Sequence, residues 1–275
     1  VLTPFDFARM GNDAALGFLR ALDGGRTLHV VETAGAAVVR FRVSARSTEH
    51  MATVSDQGSG VLVNGGRHVL VAGHVLDIEM EHTDVKYEVF TIDGRLRRGK
   101  VPAVRGGVDG APEGDWGLVE LEGEQPVDGP WLRLKPAAAG TTVVLLGYSG
   151  GNGVDAAGRV YPSFGLLEAP LRPVAVVGKV KDATLGECEV VAGREVLGGA
   201  SGGAVIDLRG NLVGIAVTQS WEWRMGEVHQ RMNSSWRPIL KEGETIPLHD
   251  LHVDLGFTFI PVGAFREFLE RRWGR

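Results

Sequence analysis

Hydrophobic positions follow two different periods along this chain. Near each end they repeat at helical spacing. Ala15, Phe18, Leu19 and Leu22 stand at i, i+3, i+4 and i+7, with Asn12-Asp13 placed to cap and Gly24 to stop, which predicts a short N-terminal helix. Phe265, Phe268, Leu269 and Trp273 stand at i, i+3, i+4 and i+8 and predict an amphipathic helix over 264–273. Between the two, short Val-rich runs dominate. Strands are expected over 37–43, 60–63, 68–72, 87–92, 95–101, 118–121, 142–146, 174–181, 187–191, 203–207, 212–217 and 256–260. Asn64-Gly65-Gly66 and Asp93-Gly94 read as hairpin turns. Residues 122–140 are rich in Pro, Gly and Ala and read as a linker. The expected organisation is an N-terminal extension over 1–34, a first β unit over 35–130 and a second over 131–275. Many short strands with little internal helix predict an all-β fold, either two barrels or a sandwich.

Composition sharpens this picture. Glycine supplies 40 of 275 residues, about twice the usual share, in keeping with many tight turns. No apolar stretch reaches the roughly 18 residues a spanning helix needs, so no membrane span is expected. The formal net charge of −5 and the lack of Lys/Arg blocks argue against nucleic-acid binding. A single cysteine, Cys188, rules out an intrachain disulfide and a Cys-rich zinc site, and is expected to be a small, half-buried hydrophobe. His249 and His252 stand three apart in an expected loop and are read as incidental rather than as metal ligands.

Three segments carry candidate chemistry. His74 directly follows the apolar run Val69–Ala72, after Gly58-Ser59-Gly60-Val61-Leu62-Val63 and a turn. Asp115 immediately precedes the run that begins at Trp116. Ser201 lies in Gly198-Gly199-Ala200-Ser201-Gly202-Gly203, which runs into a strand. Taken singly, each has an ordinary structural explanation. Together they form a chemical set. A serine hydroxyl is a weak nucleophile and needs a base; histidine can take its proton and return it to a leaving group. A carboxylate on the far ring nitrogen fixes the tautomer and stabilises the imidazolium. Glycines around the serine allow a sharp turn in which the N–H groups of Gly199 and Ser201 converge on an oxyanion.

With this His, Asp, Ser order, residues 35–273 resemble the trypsin-like serine proteases, and within them the HtrA branch, with no PDZ domain in the chain. Residues 87–104 resemble the hairpin before the aspartate, Leu212-Val213-Gly214-Ile215 the strand after the nucleophile, and Gly256-Phe257-Thr258-Phe259-Ile260-Pro261 with its helix the domain ending. The resemblance implies two packed six-stranded β-barrels, with His74 and Asp115 from the first and Ser201 from the second. It implies a serine endopeptidase acting on polypeptides through an acyl-enzyme, without metal or cofactor, in a periplasmic or secreted setting. Two other readings stay open: an inactive fold of this type serving as a protein-binding module, and an esterase using the same triad.

Departures from the family pattern bear on specificity and activation. Ala200 stands where digestive trypsin-like enzymes carry an aspartate that binds a newly cut N-terminus. Glu195, Val196 and Leu197 are expected to border the primary specificity pocket, and Val217, Thr218 and Gln219 to line its other wall. Glu195 stands six before Ser201, at the position of the trypsin-like pocket floor, which favours Arg or Lys before the cut. The HtrA resemblance favours small aliphatic residues, and that preference is the one expected here. Residues 219–254, with Trp221, Trp223, Arg224, Arg231, Trp236 and Arg237, are expected to form either a solvated surface excursion or a flap or partner-docking loop beside the substrate strand.

Overall fold

The fold is a computed structural model that describes residues 4–48, 53–77, 81–91, 95–101, 103–108, 110–111, 113–123, 131–148, 152–154, 160–162, 174–192, 199–225 and 251–274. Two helices come first, α1 (Pro4–Asp23) and α2 (Arg26–Gly35). Seven strands follow: β1 (Val38–Ser47), β2 (Thr53–Val63), β3 (His68–Ala72), β4 (His82–Phe90), β5 (Leu96–Gly99), β6 (Val104–Arg105) and β7 (Trp116–Glu120). The second half contains β8 (Thr142–Gly147), β9 (Asn152–Val154), β10 (Val160–Pro162), β11 (Val174–Asp182), β12 (Glu187–Ala192), β13 (Ala204–Asp207), β14 (Leu212–Met225) and β15 (Leu251–Pro261). A 3-10 turn at Val262–Ala264 leads into α3 (Arg266–Arg272).

The first half is one antiparallel sheet in the order β5-β4-β1-β2-β3-β7-β6. It curls back on itself at its β5 edge. Gly99 bridges Leu121, Lys100 N–H donates to Glu120 O at 2.7 Å, and Glu122 N–H donates to Arg98 O at 2.8 Å. The second half is a closed six-stranded barrel in the order β11-β12-β15-β14-β13-β8, beside a small β9-β10 ribbon. The mostly β architecture expected from the strand pattern is therefore the observed one. The first sheet has seven strands rather than six because its last hairpin partner is split into β5 and β6.

Burial explains why the central strands read as continuous Val and Leu runs and not as strict alternation. Val143 and Leu145 of β8 point into the second barrel, while Val144 and Leu146 join the larger core of the first half and the helices. Both faces of that strand are covered, so neither can be polar. The C-terminal helix belongs to the same arrangement. Phe265 and Leu269 are buried, and the rings of Phe265 and Phe268 lie 5.4 Å and 5.7 Å from that of Trp116, at the start of β7.

The N-terminal region departs from expectation. Helix α1 begins at Pro4, so Asn12-Asp13 lie inside it and do not cap it. Of its predicted apolar face, Ala15 and Leu19 are fully buried, but Leu22 is 45% exposed. The second helix was not foreseen because Gly24-Gly25 reads as a stop. Those glycines end α1, and Asp23 then starts α2 by accepting Thr27 N–H at 2.9 Å and the Thr27 hydroxyl at 2.8 Å. These bonds, to the backbone first, hold the Asp23 carboxyl below its ordinary range. The buried face of α2 is Leu28, Val31 and Ala34.

Other differences are smaller. The linker is not free over its described part: Leu134 bridges Leu212, and Lys135 N–H donates to Leu212 O at 2.9 Å. Cys188 is buried rather than half-buried, and burial pushes its thiol up to about 12, so it stays a neutral, inert hydrophobe. The Asp93-Gly94 turn lies outside the described residues; β4 and β5 pair on either side of it with Phe90 opposite Leu96. Among the described residues, no helix is long and apolar enough to cross a membrane.

Phe265→Ala is expected to destabilise the fold by about 3–5 kcal/mol, because it opens a cavity against Trp116. Leu22→Ala is expected to change stability by about 0.5 kcal/mol or less. Urea unfolding of the two variants, compared at equal m-value, measures both.

Candidate active site

His74 sits in the 3-10 turn Gly73–Leu76 that ends β3, and Asp115 immediately precedes β7, the neighbour of β3 in the sheet. The register Ala72↔Trp116 sets the two segments side by side. Asp115 then grips His74 at two points: Oδ1 accepts the His74 backbone N–H at 2.6 Å, and Oδ2 lies 2.6 Å from Nδ1. An ionised carboxylate only accepts, so Nδ1 carries the proton of this bond and Nε2 is left as the basic nitrogen. The close approach depends on Gly73. A Cβ there would stand 2.9 Å from Asp115 Oδ1 and 3.1 Å from Trp116 N. Behind the turn, the Arg105 guanidinium donates to Leu76 O and pairs with Asp77.

This pairing sets the charges of both groups. The hydrogen bond to Asp115 raises the His74 imidazole above its ordinary range; partial burial opposes it, and the charges of Asp115 and Asp56 add to it. Burial pushes the Asp115 carboxyl up, but the bonds from the His74 ring and N–H, the His74 charge and the Gly73 N–H outweigh it and leave it lowered. The His74 side chain remains 44% exposed.

Ser201 lies in the tight turn before β13, in the second half. The turn is held by Gly203 N–H donating to Ala200 O at 2.8 Å and Gly202 N–H donating to Ala216 O at 2.7 Å. It packs directly against the first half. A Cβ on Gly202 would meet Ser59 O at 2.1 Å and Ala72 N at 2.9 Å, so only glycine fits there. A Cβ on Gly58 would lie 2.9 Å from both Ser201 O and Val75 Cγ2. Ser201 is thereby adjacent to the segment that carries His74. Its hydroxyl donates to Val217 O at 3.1 Å in this structure.

The remaining candidates divide. Gly199 lies in the turn with φ of +95°. The Val217 carbonyl is in contact with Ser201 Oγ. Thr218 and Gln219 lie on β14, opposite Thr258 and Phe257 of β15. Glu195, Val196 and Leu197 fall outside the described residues. Of the 219–254 stretch, the first part extends β14 and the last begins β15, paired as far as Met225↔Leu251. Trp221, Trp223 and Arg224 are on that ribbon, while Arg231, Trp236 and Arg237 lie outside the described residues, as do His249 and Asp250. Among the described residues, no group of three or more His, Cys, Asp or Glu side chains is arranged to hold a metal ion. Sequence reasoning did not single out Asp56 or Arg105. Nothing in the local pattern distinguishes them, because their roles arise from sheet pairing.

The sequence family described as trypsin-like peptidase domain matches residues 58–215, a span that contains His74, Asp115 and Ser201. No curated protein matches the chain. The family match covers more than half of the 275 residues, and the chain belongs to the trypsin-like peptidase domain family.

Proposed function

We propose that the protein is a serine endopeptidase that cleaves polypeptides through an acyl-enzyme, with Ser201 as nucleophile, His74 as general base and acid, and Asp115 as the orienting carboxylate. The supporting observation is the two-point grip of Asp115 on His74, 2.6 Å at each contact. It fixes the ring, assigns its tautomer and raises its basicity, which is what activation of a serine hydroxyl requires. Residues 35–130 then supply the base and its partner, residues 131–275 supply the nucleophile, and residues 1–34 form an extension.

In this mechanism His74 Nε2 takes the Ser201 proton as Oγ bonds to the scissile carbonyl carbon. The carbonyl oxygen becomes an oxyanion held by the N–H groups of Gly199 and Ser201. His74 next gives its proton to the leaving amine as the C–N bond breaks. Water, deprotonated by His74, attacks the ester and releases the acid and the free serine. For this step the Ser201 hydroxyl has to turn from Val217 O towards Nε2, exchanging one hydrogen bond for another.

That same bond to Val217 favours the second reading, in which the hydroxyl stays turned away and the fold serves as a binding module. A fluorophosphonate probe separates the two. Labelling of Ser201 in the native protein, lost in Ser201→Ala, is the result expected of the peptidase, and a native protein that stays unlabelled identifies the binding module. Peptide hydrolysis by Ser201→Ala should fall to the residual about 10³–10⁴-fold acceleration that such sites keep without their triad. A peptide library reads the residue before the cut: small aliphatic residues are expected, whereas a preference for Arg or Lys would assign Glu195 to the pocket floor.

The pH dependence follows from His74. Activity needs the neutral imidazole, so kcat/KM is lost as pH falls through the His74 pKa, which stands above its ordinary value of about 6.5. Asp56→Asn removes one of the charges that raise it. The acid limb of the kcat/KM profile should therefore move to lower pH in this variant, with the plateau retained. A limb unchanged or moved upward would contradict the assignment of His74 as the base.

A further inference from the structure

Three consecutive peptide units surround the nucleophile, and the middle one carries the Ser201 N–H, one of the two oxyanion donors. The Gly199–Ala200 unit presents the Gly199 carbonyl. The Ala200–Ser201 unit presents the Ala200 carbonyl and the Ser201 N–H. The Ser201–Gly202 unit presents the Ser201 carbonyl and the Gly202 N–H. The middle unit is held within the turn, through Gly203 N–H to Ala200 O at 2.8 Å. The two outer carbonyls both bond to one residue of the opposite half. The Ser59 hydroxyl donates to Gly199 O at 2.8 Å, and the Ser59 N–H donates to Ser201 O at 2.7 Å. The same hydroxyl oxygen accepts the Tyr148 N–H at 2.8 Å.

Ser59 is fully buried in β2, so water does not compete for these bonds. Tyr148 is itself anchored. Its hydroxyl donates to Val38 O at 3.4 Å, and the Arg40 guanidinium stacks 5.7 Å from its ring. Burial pushes the Tyr148 phenol up to about 12, which keeps that hydroxyl a neutral donor. At the other end of the relay, Gly199 has φ of +95° and no side chain of its own to pack. The Gly199 carbonyl belongs to the Gly199–Ala200 peptide, so the Ser59 hydroxyl holds from outside the turn the unit next to the one that carries the Ser201 N–H.

We propose that Ser59 is a positioning residue for catalysis: its hydroxyl, relayed from the Tyr148 backbone, locks the Gly199–Ala200 peptide while its N–H holds the Ser201–Gly202 peptide, so that the Ser201 N–H between them is aimed at the oxyanion. The proposal rests on the reading of Ser201 as the acylated nucleophile. It makes the oxyanion site a joint product of the two halves, with β2 of the first acting on the turn of the second. Losing a donor outright costs about 10²–10³ in kcat; a donor that is present but unfixed should cost less, roughly 10- to 100-fold.

The test compares Ser59→Ala, Ser59→Thr and Ser59→Val with the native protein. Threonine and valine have the same shape and differ in the hydroxyl, so this pair remains informative where an added methyl lowers stability. For each variant, sites are counted by fluorophosphonate titration, kcat and KM are measured on one peptide substrate, and a peptidyl boronic acid reports affinity for the tetrahedral state. Ser59→Ala and Ser59→Val are expected to lose roughly 10- to 100-fold in kcat per titrated site, with KM within about threefold and boronate affinity falling in parallel. Ser59→Thr should recover most of this. Equal kcat and equal boronate affinity per titrated site in the Thr and Val variants would overturn the proposal, as would losses that only track the amount of folded protein. A native protein that neither labels nor cleaves would instead sink the peptidase reading itself.

Discussion

Everything at the candidate site depends on one carboxylate that accepts from two nitrogens of a single residue. Asp115 binds the His74 backbone N–H and the His74 ring together, both at 2.6 Å. One contact alone would leave the ring free to swing about χ1 and χ2; the pair fixes the turn and the imidazole against the same group. The requirement propagates outward. Gly73 has to be without a side chain for the carboxylate to come that close. Asp115 has to be rigid, and it is the residue before Trp116, which is fully buried beneath Phe265 and Phe268 of the C-terminal segment. The last helix of the chain, which follows β15 of the second barrel, thus supports the carboxylate of the first half.

The electrostatics of this pair decide the direction of its chemistry. Burial by itself would favour a neutral Asp115 and a neutral His74. The hydrogen bonds between them override burial, lowering the acid and raising the base. The result is an acceptor that ionises more readily than in water beside an imidazole that is easier to protonate than in water. Such an imidazole is the better proton acceptor, at the expense of needing a higher pH to be free. Asp56 acts in the same direction from β2, so the first half supplies two negative charges to one histidine.

Much of this was legible in the sequence, and what was not has identifiable physical reasons. His74, Asp115 and Ser201 each stand at a strand boundary, where local pattern is most informative, and strand-edge position is what sheet pairing preserves. The hairpin at Asn64-Gly65-Gly66 and the core strands were readable because buried runs on both faces leave a strong apolar signal, as in β8. Helix α2 was missed because Gly24-Gly25 is a stop signal for one helix and the entry to another, and the cap comes from Asp23 on the near side of both glycines. Leu22 kept the period of its helix but not its burial, since the helical face extends past the surface that α1 covers on β11 and β12. In the sequence Ser59 reads only as part of a glycine-flanked strand. Its partners Tyr148, Gly199 and Ser201 are brought to it by the packing of the two halves, and no spacing along the chain encodes that.

Ala200 shows why the cross-half contact matters. The residue is buried within the second barrel's apolar cluster, and its Cα and Cβ lie 3.2 Å from where a Gly147 side chain would begin. An apolar group in that setting cannot order the turn by pairing with a charge, and a lone ammonium brought there would be costly to desolvate. The turn is ordered by neutral hydrogen bonds instead: Gly203 and Ala216 from its own half, Ser59 from the other. None of these groups titrates near neutrality. The described hydrogen bonds of the Ser201 turn therefore hold across the pH range in which His74 changes charge, and among the described residues the pH response of the site centres on the histidine pair.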